Sequence, residues 1–152
     1  MDMAGIVKDW LSVKGWPCHS ERQQSRTRFE TQIIKRNGMY RLELFVDSRQ
    51  HFFGAYAYAP FLIAREHHGD ILEIIARANW GHEFARFELN PDTSQLRCSA
   101  TLLFRDSCLT VSMLETMTTF ALEWLDSFVP ALCEMSDQPS NNPSLSDVDA
   151  AL

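Results

Sequence analysis

The chain has 152 residues, a formal net charge of −6 and a pI near 5.3. That length suits one domain and lets a core form without disulfide or metal staples. The acid excess excludes a chain built to bind a phosphate backbone. The closest basic pair, Lys35-Arg36, adjoins Asn37-Gly38 and reads as a solvated hairpin tip.

Four cysteines, Cys18, Cys98, Cys108 and Cys133, occur without a Cys-x-x-Cys pair, so zinc-ribbon and thioredoxin readings have no support. The N-terminus MDMAGIVKDWLSVKGW lacks the long apolar run and small-residue cleavage site of a signal peptide. No apolar stretch approaches the roughly 18 residues of a membrane span. A bacterial cytoplasmic protein with reduced thiols is the expectation, with neither membrane nor nucleic acid as partner.

Ile6, Val7, Trp10, Leu11 and Val13 recur at helical spacing before Gly15 and Pro17, which predicts a first helix. The following HSERQQSR is polar and reads as irregular. From Arg26 the period becomes two. Phe29, Thr31 and Ile33 alternate with Arg28, Glu30 and Gln32, which predicts a half-buried strand. Asn37-Gly38 signals a tight hairpin, because both residue types tolerate positive φ. MYRLELFVD is the second strand, with Tyr40, Leu42, Leu44 and Val46 on one face and Arg41, Glu43 and Phe45 on the other. HFFGAYAYA is the third, ended by Pro60.

A helical pattern then runs from about Arg65 to Trp80, with Ile71, Leu72, Ile74, Ile75 and Ala78 on one face and Gly81 as its stop. FARFELN and QLRCSATLLFRD are two more strands around the turn Pro91-Asp92-Thr93-Ser94. A last helix runs from about Thr110 to Val129, capped by Thr110 or by a Ser112/Glu115 box. Its core stripe is Leu114, Met117, Ala121, Trp124, Leu125 and Phe128. After Cys133 the chain turns Pro-, Ser- and Asn-rich and reads as a disordered tail. The expectation is one α+β domain over residues 1–134 with a tail at 135–152. Its order is α-β-β-β-α-β-β-α, with an antiparallel five-stranded sheet packed against helices.

Candidate chemistry centres on REHHGD at Arg65 to Asp70, with His82 downstream. Adjacent histidines on a helix lie about 100° apart, so His67 and His68 cannot both face one ion. Helical zinc pairs want spacing i, i+4, and the positions four on are Ile71 and Leu72. Glu66 and Asp70 are explained as first-turn acids offsetting the helix dipole. His68 reads as a core-edge histidine. A small-ligand or metal-dependent protein using His67, His68, His82 and Asp70 is therefore the alternative, and no cofactor or metal is expected. No Gly-x-Ser-x-Gly or Gly-rich phosphate loop is present. Cys98 alternates into the core face, and Cys108 is the expected exposed thiol.

One feature needs more than solvation. Phe45, Phe52, Tyr56 and Tyr58 fall on the sheet face opposite the Leu42/Leu44/Val46 stripe. Aromatic side chains there suit a partner or dimer surface. This is the expected site, with no catalytic residues.

The runs LELFVD, FGAYAYAP, ILEIIARANWGHEFARFELNPDTSQLRCSATLLF and LTVSMLETMTTFALEWLDSFVPAL, with WLSVKGWP near the start, together resemble the YbjN family over about residues 5 to 132. Asn79, the FELNPDTSQLR hairpin and Thr110 are the better-matched points. The family is described as bacterial sensory transduction regulators. The resemblance implies a type III secretion chaperone-like fold, binding rather than catalysis, an unidentified protein partner and a homodimer.

Overall fold

The computed structural model describes residues 2–105 and 108–136. Helix α1 spans Met3–Val13 and is stopped by Gly15 at φ +67°. Strand β1 is His19–Gln23, β2 Arg26–Lys35, β3 Gly38–Asp47 and β4 Phe52–Leu62. A 3-10 turn at Arg65–His67 leads into α2, His68–Asn79. Strands β5, Arg86–Leu89, and β6, Gln95–Leu103, precede α3, Val111–Leu132. The strands form one antiparallel sheet in the order β1-β2-β3-β4-β6-β5.

The sheet therefore has six strands rather than five. The strand not expected is β1, whose residues are all exposed. An edge strand held by backbone bonds alone carries no alternation for a sequence to display. Pro60 does not end β4 either. It lies within the register irregularity between Tyr58 and Leu62, past the last residue paired to β3, where its missing N–H costs no ladder bond.

One face of the sheet holds the core. Thr31, Leu42, Ala57, Cys98 and Phe87 make one row across five strands, all buried. Ala55, Ala57 and Ala100 provide a shallow floor on which Leu114, Leu122 and Leu125 of α3 seat, all at most 1% exposed. Truncating one of those leucines to Ala would cost about 2–5 kcal/mol. Thr110 Oγ1 accepts from Met113 N at 3.2 Å, so Thr110 is the cap, and Glu115 is engaged instead by Lys14 Nζ at 2.6 Å. In α2, Ile71 and Ile75 are buried but Leu72 is 52% exposed, and Val13 of α1 is exposed as well.

The β2–β3 hairpin tip is docked rather than solvated. Lys35 pairs with Glu123 of α3. Asp126 Oδ1 accepts from Asn37 N at 2.9 Å and from the Tyr40 hydroxyl at 2.6 Å, while Asn37 Nδ2 donates to the Asp126 carbonyl at 2.8 Å. Among the described residues neither Asn37 nor Gly38 takes positive φ. The turn residues are Arg36 and Asn37, between the paired Lys35 and Gly38, and Asn37 is committed to α3.

The expected tail lies outside the described residues after Ser136. Met135 and Ser136 pair with the residues just past β4: Ala64 N donates to the Met135 carbonyl at 3.0 Å, and Ser136 bridges Ile63.

Candidate partner-binding face

Strand pairing sets the second face of the sheet. Opposite the core, the rows read Arg26, Asp47, Phe52, Leu103; then Arg28, Phe45, Gly54, Thr101. The next two are Glu30, Glu43, Tyr56, Ser99, Arg86 and Gln32, Arg41, Tyr58, Arg97, Glu88. Phe45, Phe52, Tyr56 and Tyr58 thus share one face, and α1, α2 and α3 pack away from it. Facing, however, is not exposure: Tyr58 is only 8% exposed and the other three are half-buried.

Arginines account for the cover. The Arg41 guanidinium lies 3.8 Å from the Tyr58 ring centre, and that of Arg97 4.5 Å from the Tyr56 ring centre. Cations over aromatic faces are attracted by the ring quadrupole, by about 0.5–2 kcal/mol according to desolvation. Glu43, 8% exposed, accepts from the Tyr58 hydroxyl at 3.0 Å and from Arg41 at 2.6 Å, with Arg28 at 3.6 Å. Glu30 stands directly across from Glu43, and Arg28 and Arg41 bridge the two carboxylates. Arg97 donates to Glu88 at 2.6 Å and to the Tyr58 hydroxyl at 3.3 Å. Burial above all pushes both the Tyr56 and Tyr58 hydroxyls above their ordinary range, so both stay protonated at neutral pH.

Tyr56 has a second task. A Cβ added at Gly54 would lie 2.8 Å from the Tyr56 ring, because that ring folds along β4 over the bare backbone. The sheet narrows its side chains there, and the aromatic ring fills the gap. Beside it, Phe45, Phe52, Tyr56 and Glu43 line a groove of about 350 Å³ that reaches Arg26 and Asp47.

The histidines of the alternative reading go to separate neighbours. His67 Nδ1 lies 3.5 Å from Asp70, at the surface. His68 Nε2 contacts Ser94 Oγ at 3.1 Å, consistent with a core-edge role. His82 rests against Trp124 and accepts from Ala85 N at 3.2 Å, and burial above all pushes its imidazole below the ordinary histidine range. Among the described residues no three His, Cys, Asp or Glu side chains gather as a metal site.

The three best-matched points of the family resemblance are all local hydrogen-bond devices. Asn79 binds both backbone groups of Phe87 on β5, accepting at 2.8 Å and donating at 3.0 Å, and so covers part of that edge. Asn90 Oδ1 accepts from Asp92 N and Thr93 N, which folds the β5–β6 turn. Thr110 caps α3. Alternation along β3 already put Arg41 and Glu43 on the face of Phe45, but that Arg41 covers Tyr58, that Arg97 covers Tyr56 and that Glu43 and Glu88 hold those arginines follows only from cross-strand register.

A one-sided antiparallel sheet with helices on its other face, in this order, defines a chaperone-like α+β fold. No family model matches the chain, and no curated protein matches it. Solved structures do. A chain of the ExsC–ExsE complex superposes with a TM-score of 0.59 at 15% identity, over 87% of this chain and 97% of that one. YbjN from E. coli, described as a candidate transcription regulator, superposes with a TM-score of 0.58 at 12% identity, over 83% of this chain and 87% of that one. At these identities the likeness is one of fold, and it agrees with the YbjN-like, chaperone-like architecture expected from the sequence.

Proposed function

We propose that this chain is a non-enzymatic protein-binding module of chaperone or regulatory type, acting in the bacterial cytoplasm as a homodimer. The open sheet face is its docking surface, with Phe45, Phe52, Tyr56 and Tyr58 at its centre. One observation carries the reading: helices cover the sheet on one side only, and its other side keeps an aromatic and arginine surface with a groove. Rings, arginines and a polar margin are the composition of protein contact surfaces. The superposition on a chain of the ExsC–ExsE complex supports the same reading. No helix among the described residues is long and apolar enough to cross a membrane.

The test is affinity capture from source-cell lysate with the parent, with Phe45→Glu/Phe52→Glu, and with Ser127→Glu on the exposed side of α3. A partner captured by the parent and by Ser127→Glu but lost in the double variant supports the face. Identical capture by all three folded proteins refutes it. Sedimentation of the same proteins at micromolar concentration reads the dimer separately: a monomeric parent removes it. A dimer unaffected by the double variant moves its interface elsewhere.

A further inference from the structure

The aromatic groove does not end at Phe52. It shares Arg26, Asp47 and Gln50 with a larger polar basin, about 980 Å³, where the β1–β2 turn, the β3–β4 turn and the end of β6 converge. Among the described residues, Arg26, Arg49 and Arg105 line this basin against a single carboxylate, Asp47. The whole chain carries 20 acids against 14 Lys and Arg, so this corner runs against the average.

Asp47 does not neutralise it. Its Oδ2 is bonded to Arg26 Nε at 2.8 Å, and its Oδ1 accepts from the N–H groups of Arg49 and Gln50 at 2.9 and 3.1 Å. Its side chain is 4% exposed, so the carboxylate is spent inward. Arg26 uses Nε for that bond, and its side chain remains 55% exposed at the basin's edge. Arg49 and Arg105 are exposed and form no ion pair among the described residues. The frame is preset: Ser48 N and Oγ both donate to the Ser25 carbonyl, at 3.0 and 3.2 Å, and Phe104 N donates to the His51 carbonyl at 3.0 Å. Gln24 and His51, one in each turn, are held at φ 54° and 52°, an uncommon region for side-chain-bearing residues.

The lining also says what fits. Small organic ligands want a mostly apolar enclosure. This basin is open and polar, Leu103 being its apolar contribution, and it presents guanidinium and amide donors. Arginine forks match carboxylates. We propose that the basin and the adjoining groove together receive an acidic segment of a protein partner. An apolar side chain enters between Phe45 and Phe52, and neighbouring Asp or Glu carboxylates meet Arg26, Arg49 and Arg105. This deepens the function proposed above and rests on it.

The experiment is selection of a random peptide library displayed on phage against the intact chain, followed by anisotropy of the winning peptide at low and high salt. Parent, Arg49→Glu/Arg105→Glu and Phe45→Glu/Phe52→Glu are compared. The arginines exchanged are exposed and form no ion pair among the described residues, so melting curves should match the parent. The expected result is enrichment of an apolar residue next to acids, binding weakened about tenfold or more by the arginine reversal, and further weakening with salt. Acidic peptides that bind the arginine variant equally well overturn the basin. So does displacement of the peptide by millimolar inorganic phosphate with no need for its apolar residue. Enrichment of peptides without acids, lost in Phe45→Glu/Phe52→Glu, overturns this inference and leaves the face intact. Enrichment indifferent to both variants, or no enrichment at all, overturns the inference and counts against the face too.

Discussion

Replacing Asp126 by Ala should loosen the β2–β3 hairpin from α3. Asp126 is 7% exposed, and its Oδ1 takes the Tyr40 hydroxyl, itself fully buried, and the Asn37 N–H. The variant leaves both donors without that acceptor, the Tyr40 hydroxyl in the core and the Asn37 N–H half-buried. A buried donor so stranded costs about 1–3 kcal/mol, so the pair comes to about 2–6 kcal/mol. The bond from Asn37 Nδ2 to the Asp126 carbonyl is backbone-directed and survives, which keeps the loss toward the lower half of that range. Against a total of about 5–15 kcal/mol this is a large fraction. At about 2–4 °C per kcal/mol for a domain of this size, the melting point should fall by roughly 10 °C. Tyr40→Phe leaves Asp126 its bond from Asn37 and should cost less, about 1–2 kcal/mol. The double variant then tests the shared bond, with a coupling of about 1 kcal/mol or more expected. Urea unfolding followed by circular dichroism gives all four stabilities. If Asp126→Ala lies within about 0.5 kcal/mol of the parent and the cycle shows no coupling, the hairpin is not held by this carboxylate.

Other perturbations probe separate parts of the fold. Asn79→Ala strips the Phe87 backbone of two bonds on the β5 edge and should cost about 1–3 kcal/mol, with faster hydrogen exchange at the Phe87 amide. Arg26 holds the Asp47 carboxyl at about 2, with burial opposing it and the Gln50 and Arg49 N–H groups assisting, below its ordinary 3.8. Because this folded-state value is depressed, the stabilisation is complete above about pH 4 and is lost as pH falls toward 2. With Arg26 half-exposed it amounts to about 1 kcal/mol, and acid titration should show the parent's advantage over Asp47→Asn fading in that window. Burial pushes the Cys98 thiol up to about 12, so alkylation at pH 8 should label exposed Cys108 first and Cys98 only on unfolding.

Alternation carried most of what the sequence disclosed. Phe29, Leu42, Leu44, Val46, Cys98 and Ala100 face the core as their period required, because a strand's side chains have only two directions. The failures occurred where backbone or long-range contacts decide. Strand β1 is solvated on both faces, so its pairing left no pattern in HSERQ. Leu72 keeps helical spacing yet lies beyond the stripe that α2 turns inward. Asn37-Gly38 carries strong local turn chemistry, but the bond to Asp126, 89 residues away, selects another turn. For the candidate site the facing of the four aromatic residues was legible and their cover was not. Arg41 lies directly across from Tyr58, and Arg97 diagonally across from Tyr56, on neighbouring strands, a relation that needs the register.

That cover divides the face into two unequal parts, and the division can be measured. Tyr56 and Tyr58 lie under arginines whose other hydrogen bonds run to Glu43 and Glu88. A partner reaching those rings would have to displace charge-assisted bonds already made, and would gain little net free energy. Among the described residues no cation covers Phe45 or Phe52, which stand where the groove opens toward the arginine basin. Binding free energy should therefore concentrate at the phenylalanine end and folding free energy at the tyrosine end. Tyr58→Phe removes the hydroxyl from Glu43 and Arg97 and should lower stability by about 1–3 kcal/mol while leaving partner affinity within a few-fold. Phe52→Ala should weigh on affinity instead, reduced by about 1–3 kcal/mol, roughly fivefold to 150-fold, with folding losing less than the roughly 3–5 kcal/mol of a fully buried phenylalanine because the ring is only partly buried. Melting curves and peptide titrations on the two variants give both quantities. Equal losses of affinity from both would mean that the arginine cover opens on binding, and that the whole face, rather than its phenylalanine end, is the contact.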